Sequence, residues 1–137
     1  MKTKNSDFQF QGFLISKSLI ELSPLTKKRE LSINIVPSGK INQKENSFQL
    51  TLEIQINKPG DNIYLNVTGV GEFKFENEIE NTKLGNYFYL NAPAILFPYI
   101  RSYISTLTTL SGIQPINLPT LNLMGYRDEL KNNTQVL

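Results

Sequence analysis

Every second residue of Phe48-Gln-Leu-Thr-Leu-Glu-Ile-Gln-Ile56 is apolar, and the residues between are Gln, Thr, Glu and Gln. Successive side chains of a strand point to opposite faces, so this segment has one dry face and one wet face, as in an antiparallel sheet covered on one side. Ile63, Leu65, Val67, Phe73 and Phe75 hold a single parity through a second such run. Gly69 and Gly71 fall on that parity, which predicts a bend or the close approach of another element. Leu31, Ile33 and Ile35 alternate in a third run, which Pro37 is expected to end. Phe8, Phe10, Phe13 and Ile15 open a longer run reaching Leu22, and its parity switch near Gly12 predicts a bulge. Turn residues punctuate these runs at Ser23-Pro24, Pro37-Ser-Gly39 and Lys58-Pro-Gly-Asp-Asn62. The reading is a four-stranded antiparallel β-meander.

The period changes after Asn81. Leu96, Ile100, Tyr103, Leu107 and Leu110 recur at helical spacing, flanked by Phe97 and Ile104. Asn91 or a neighbour is placed to cap this helix, with Pro93 in the first turn. Pro98 predicts a kink or a late start, and Gly112 an end. Pro115 and Pro119 keep residues 113–124 extended, and a short helix is expected over residues 125–131. Strands first and helices after make a segregated α+β fold, read as one domain over residues 1–137.

Chemistry is scarce. The chain has no cysteine and no histidine, so disulfides, Cys/His metal sites, Ser–His or Cys–His nucleophiles and imidazole acid–base work are excluded. Gly69-Val-Gly71 lacks a third glycine and lies inside a strand, so it is no dinucleotide loop. Glu72, Glu76, Glu78 and Glu80 follow the solvent parity of the last strand. Lys2 with Lys4, and Lys27-Lys28-Arg29, read as solvated loop charge. A net charge of +2 gives no pull toward nucleic acid or anionic membrane. No apolar run follows the N-terminal lysines, and no stretch approaches the ~20 apolar residues of a membrane span. The expectation is a cytoplasmic protein that is not an enzyme, uses no cofactor or metal, and has neither nucleic-acid partner nor membrane insertion. Ile113, Ile116, Leu118, Leu121 and Leu123 lie on the proline-stiffened segment. It either packs along its own domain or leaves an apolar groove.

Asn91-Ala-Pro-Ala-Ile-Leu-Phe-Pro-Tyr-Ile-Arg-Ser-Tyr-Ile104 and Gln114-Pro-Ile-Asn-Leu-Pro-Thr-Leu-Asn-Leu123 resemble the C-terminal half of the SecB family of protein-export chaperones. The similarity is most specific from Leu84-Gly85 through a connector carrying Gly112, Pro115, Asn117, Leu118 and Asn122. It implies an ATP-independent holding chaperone for unfolded or precursor polypeptides, assembled as a homotetramer built as a dimer of dimers. The long helix, through Leu96, Ile100, Tyr103 and Leu107, is then expected at the subunit interfaces. The apolar stripe of that helix looks too wide for one sheet face, which agrees with such use. The resemblance places the walls of a polypeptide groove at Leu22, Pro24 and Leu25, and at Ile116, Leu118, Leu121 and Leu123. Family members that dock on the SecA translocation ATPase use carboxylates where this chain has Ser18, Leu22 and Asn66, so weak or absent docking is expected. No zinc-binding tail like that of some members is expected, since Asn132-Asn-Thr-Gln-Val-Leu137 holds no ligand. An antitoxin-tethered member with a dedicated client is one form the family takes. The alternative is a non-chaperone binding domain that uses the same groove for one folded partner or a lipophilic ligand.

Overall fold

Alternating side chains build a single sheet. A computed structural model of the chain describes residues 8–24, 29–75, 87–120 and 123–137, with the backbone alone at Tyr87, Leu123 and Met124. The strands β1 (Phe8–Leu22), β2 (Ile33–Asn42), β3 (Ser47–Ile56), β4 (Ile63–Phe75) and β5 (Thr134–Val136) lie in the order β1-β4-β3-β2-β5. Neighbours β2, β3 and β4 are antiparallel and sequential, whereas β1 crosses to the far side of β4. The four antiparallel strands thus take Greek-key order and not the expected meander, because β1 pairs with β4 instead of β2. A fifth strand, parallel to β2, is added where the sequence announced none. After β4 come a π-helical turn (Tyr87–Asn91), the long helix α1 (Ala92–Leu110), an extended connector, a 3-10 turn (Leu123–Tyr126) and the short helix α2 (Arg127–Asn132). This is the α+β arrangement that the change of period predicted.

Phe48, Leu50, Leu52, Ile54 and Ile56 of β3 are all buried, and each residue between them is half-exposed. Their dry face meets α1, which contributes Leu96, Phe97, Ile100 and Ile104 to the core. Gly69 and Gly71 allow that contact. A Cβ on Gly69 would lie 2.5 Å from Ile100 Cδ1, and one on Gly71 would lie 3.3 Å from Leu96 Cδ1. The close approach expected at these glycines is therefore made by α1. An aromatic cluster fills one end of the core, with Phe48 stacked on Phe88 at 4.1 Å and Phe8 on Phe73 at 5.0 Å.

Pro37 does not end its strand. β2 runs on to Asn42, with Pro37 opposite Leu52. The Pro37 carbonyl accepts a bond from Asn133 Nδ2 beyond the sheet's edge. A strand residue's nitrogen and carbonyl point to the same side, so the missing N–H faces outward and no bond to β3 is lost. The turn into β3 comes instead at Gln43–Asn46, where the Asn46 N–H bonds the Gln43 carbonyl and Asn46 takes φ = 49°. β1 carries two bulges, one near Gly12 as expected and one near Ser16. Each restores the inward parity, passing it from Phe8 and Phe10 to Phe13 and Ile15 and then to Ile20 and Leu22. Pro93 opens α1 as predicted, but Pro98 lies inside the helix and does not delay its start. Asn91 makes no side-chain cap, because its backbone is already helical in the preceding π turn.

Candidate polypeptide-binding surface

Three segments meet at one end of the sheet: the β1–β2 crossing, the β3–β4 turn and the connector after α1. Ser23 begins the crossing. Its N–H donates to the Asn62 carbonyl and its hydroxyl to Asn62 Oδ1, each at 2.9 Å. Asn57 gathers the crossing's return. With φ = 61°, a conformation asparagine tolerates well, it donates through Nδ2 to the Glu30 and Ile63 carbonyls and accepts the Ser32 N–H at Oδ1. The neighbouring turn closes on itself, as Asp61 Oδ2 accepts the Lys58 N–H. Arg29 then ties the crossing to the connector, its guanidinium donating to the carbonyls of Gln114 at 2.8 Å and Pro115 at 3.3 Å. Arg29 is thus a solvent-accessible clamp between two segments, a role that its place in a basic run did not announce.

The connector leaves α1 through a Schellman turn. The Gly112 N–H bonds the Thr109 carbonyl and the Ile113 N–H bonds the Thr108 carbonyl, with Gly112 at φ = 93°. Thr108 is fully buried, and its hydroxyl donates to the Ile104 carbonyl while accepting the Ile116 N–H at 2.9 Å. Outside it, the Ser105 hydroxyl donates to Asn117 Oδ1. The segment consequently packs along its own domain.

This corrects part of the expected groove. Ile116 and Leu118 are 1% and 0% exposed, alternating inward with exposed Pro115, Asn117 and Pro119, so neither presents a wall to a partner. Leu96 and Ile100 are likewise fully buried against Gly71 and Gly69, which leaves them no part in a contact between subunits. Tyr103 and Leu107 are half-buried, and the Tyr103 hydroxyl donates to Ser18 Oγ at 2.7 Å. Leu22 and Pro24 are exposed at the start of the crossing. Leu25 and Leu121 lie outside the described residues, as does the Leu123 side chain. Glu76, Glu78 and Glu80 are outside them too, while Glu72 is exposed and accepts a bond from Gln49.

Further apolar side chains are exposed. Leu31 ends the crossing that Leu22 begins. Phe13 and Tyr99, 4.7 Å apart, form an open aromatic pair between β1 and α1. Leu14, more than half exposed, and Leu19 stand on the opposite face of β1. The depression between α1 and the connector, about 460 Å³ in volume, is lined by Arg101, Ser102, Ser105, Thr106 and Asn117 with Pro98, and is polar. Ser18 and Leu22 pair with core-facing residues of β4, whereas Asn66 points to the other face, so the three positions do not share one surface. Among the described residues there is no cluster able to hold a metal and no helix long and apolar enough to cross a membrane.

Comparison with known proteins agrees with this architecture. The family model described as "Preprotein translocase subunit SecB" matches residues 21–133. An uncharacterized protein of Methanocaldococcus jannaschii is 30% identical over 125 residues, covering 85% of this chain and 80% of its own. The protein-export protein SecB of Buchnera aphidicola is 29% identical over 141 residues, covering 95% of this chain and 97% of its own. A SecB-like chaperone of Mycobacterium tuberculosis, solved in complex with a peptide from the HigA1 antitoxin, superposes with a TM-score of 0.70 at 16% identity, over 84% of this chain and 91% of that one. Matched by the family model over most of its length, the chain belongs to the SecB family.

Proposed function

We propose that the protein is an ATP-independent holding chaperone, a single cytoplasmic domain that keeps unfolded or nascent polypeptides soluble. The observation that carries this reading is the apolar surface around the β1–β2 crossing and along β1, in a family whose named members serve protein export. Leu22, Pro24 and Leu31 form its described part. Ile116 and Leu118 act from beneath by anchoring the connector. An unfolded chain exposes apolar side chains and unpaired backbone together, and an apolar surface beside an accessible strand edge takes both without reading sequence. Several weak sites on one oligomer add avidity, so no nucleotide step is needed. The test is aggregation suppression without nucleotide. Protection of several unrelated unfolded proteins supports the reading, and protection of none contradicts it.

A second reading is a module dedicated to one partner. Its motivation is the structural neighbour, which was solved with an antitoxin peptide. Tight binding of one native partner, with no protection of unrelated unfolded chains, would favour it.

A further inference from the structure

Strand β5 is held lightly on an edge much longer than itself. Only Gly39, Lys40 and Ile41 of the ten-residue β2 pair with it. The Gly39 N–H donates to the Asn133 carbonyl at 3.2 Å, and the Leu137 N–H donates to the Ile41 carbonyl at 2.8 Å. Asn133 Nδ2 reaches the Pro37 carbonyl, and the Thr134 hydroxyl donates to the Leu130 carbonyl of α2, which adds one lateral tie. Gln135, Val136 and Leu137 are exposed, so little apolar burial secures the strand. Gly39 and Ile41 send their backbone groups outward, and so by alternation do Ile33 and Ile35. No other strand among the described residues pairs with that edge.

We propose that the outer edge of β2 is a docking edge for an extended polypeptide strand, and that β5 is its resident competitor, displaced when the strand arrives. This rests on the holding-chaperone reading and adds where the client's backbone is met and what regulates access. β5 itself shows that the edge accepts an extended segment through backbone bonds. An incoming strand has two advantages over it. It can pair along the whole edge from Ile33 to Ile41, and it can run antiparallel, the slightly more stable mode per residue. Pro37 withholds one donor on that edge but keeps its carbonyl, so register is constrained without side-chain specificity.

The chain contains no cysteine, which allows a reversible lock. Lys40 and Gln135 are register partners and line the same shallow depression, so their side chains lie on one side of the sheet. Neighbouring strands are about 5 Å apart, within the span of a disulfide. The full chain carrying Lys40→Cys and Gln135→Cys is titrated with β-casein, an unfolded chain without cysteine, before and after reduction. The oxidised form is expected to bind about tenfold more weakly than the reduced form, a loss equal to one or two net backbone hydrogen bonds. The reduced form should match wild type. Equal affinity in both states, with wild type binding normally, overturns the displacement while leaving the chaperone reading intact. Failure of wild type to bind casein at all brings down both. In the unmodified protein, casein should also speed amide exchange at Gln135 and Leu137, and unchanged protection there would contradict the proposal.

Discussion

Thr108 shows how much one hydroxyl can organise. A threonine inside a helix commonly turns its hydroxyl back to the preceding carbonyl, as Thr108 does to Ile104 at 2.8 Å. The same oxygen accepts the Ile116 N–H, a donor otherwise buried beside a side chain that is 1% exposed. Thr108→Val keeps the shape and removes both bonds, leaving that N–H unsatisfied. The expected loss is about 1–3 kcal/mol of folding stability, read as a lower denaturant midpoint with unchanged slope. Thr108→Ser should recover most of it. Loss of the same size in both variants would show that packing of the methyl group, not the hydroxyl, holds the connector.

At the level of elements, the arms of the end site are stitched together by few bonds, and Arg29 is the link between crossing and connector. Arg29→Gln is expected to speed amide exchange at residues 113–118 while changing global stability by less than about 1 kcal/mol, because the bonds are solvent-accessible. Unchanged exchange would mean that the contacts with α1, through Thr108 and Ser105, position the connector without Arg29. Most of the elements were legible in sequence because their period follows from burial: β3 alternates without a break, and α1 buries Leu96, Ile100 and Ile104 at helical spacing. Gly69 and Gly71 marked the contact between them. What was not legible depends on long-range placement. Pro37 is harmless only because β2 lies next to the edge, and β5 exists only because α2 returns the chain to that edge. The second bulge of β1, near Ser16, adds no glycine to signal it. The site was half legible. Leu22 and Pro24 are exposed where the crossing begins, but the apolar content of the connector did not reveal that Ile116 and Leu118 face inward. Asn57, whose side chain ties the crossing to the sheet, differs from an ordinary turn asparagine only in its tertiary partners.

For the whole molecule, assembly has to use what the fold leaves outside. Leu96 and Ile100 are taken by the core, so the proposed homotetramer would form through half-buried Tyr103 and Leu107 with exposed Tyr99. Light scattering at micromolar concentration is expected to return four times the 15.6 kDa chain mass. A monomer mass throughout would remove the avidity on which the mechanism leans. Weak or absent binding to the SecA translocation ATPase follows from Ser18, Leu22 and Asn66, which supply no carboxylate and do not share a face. Tight, salt-sensitive binding by calorimetry would contradict it. The central claim is that the exposed apolar crossing holds unfolded polypeptide. It is tested most directly by the dissociation constant for a permanently unfolded client of Leu22→Asp/Leu31→Asp, set beside Leu110→Asp, which changes a leucine 82% exposed at the end of α1. A carboxylate on the binding surface must be desolvated when the client docks, so the crossing variant should bind at least about tenfold more weakly with its circular dichroism unchanged. Leu110→Asp should bind as wild type does. Wild-type affinity in the crossing variant, with its fold intact, would contradict the account.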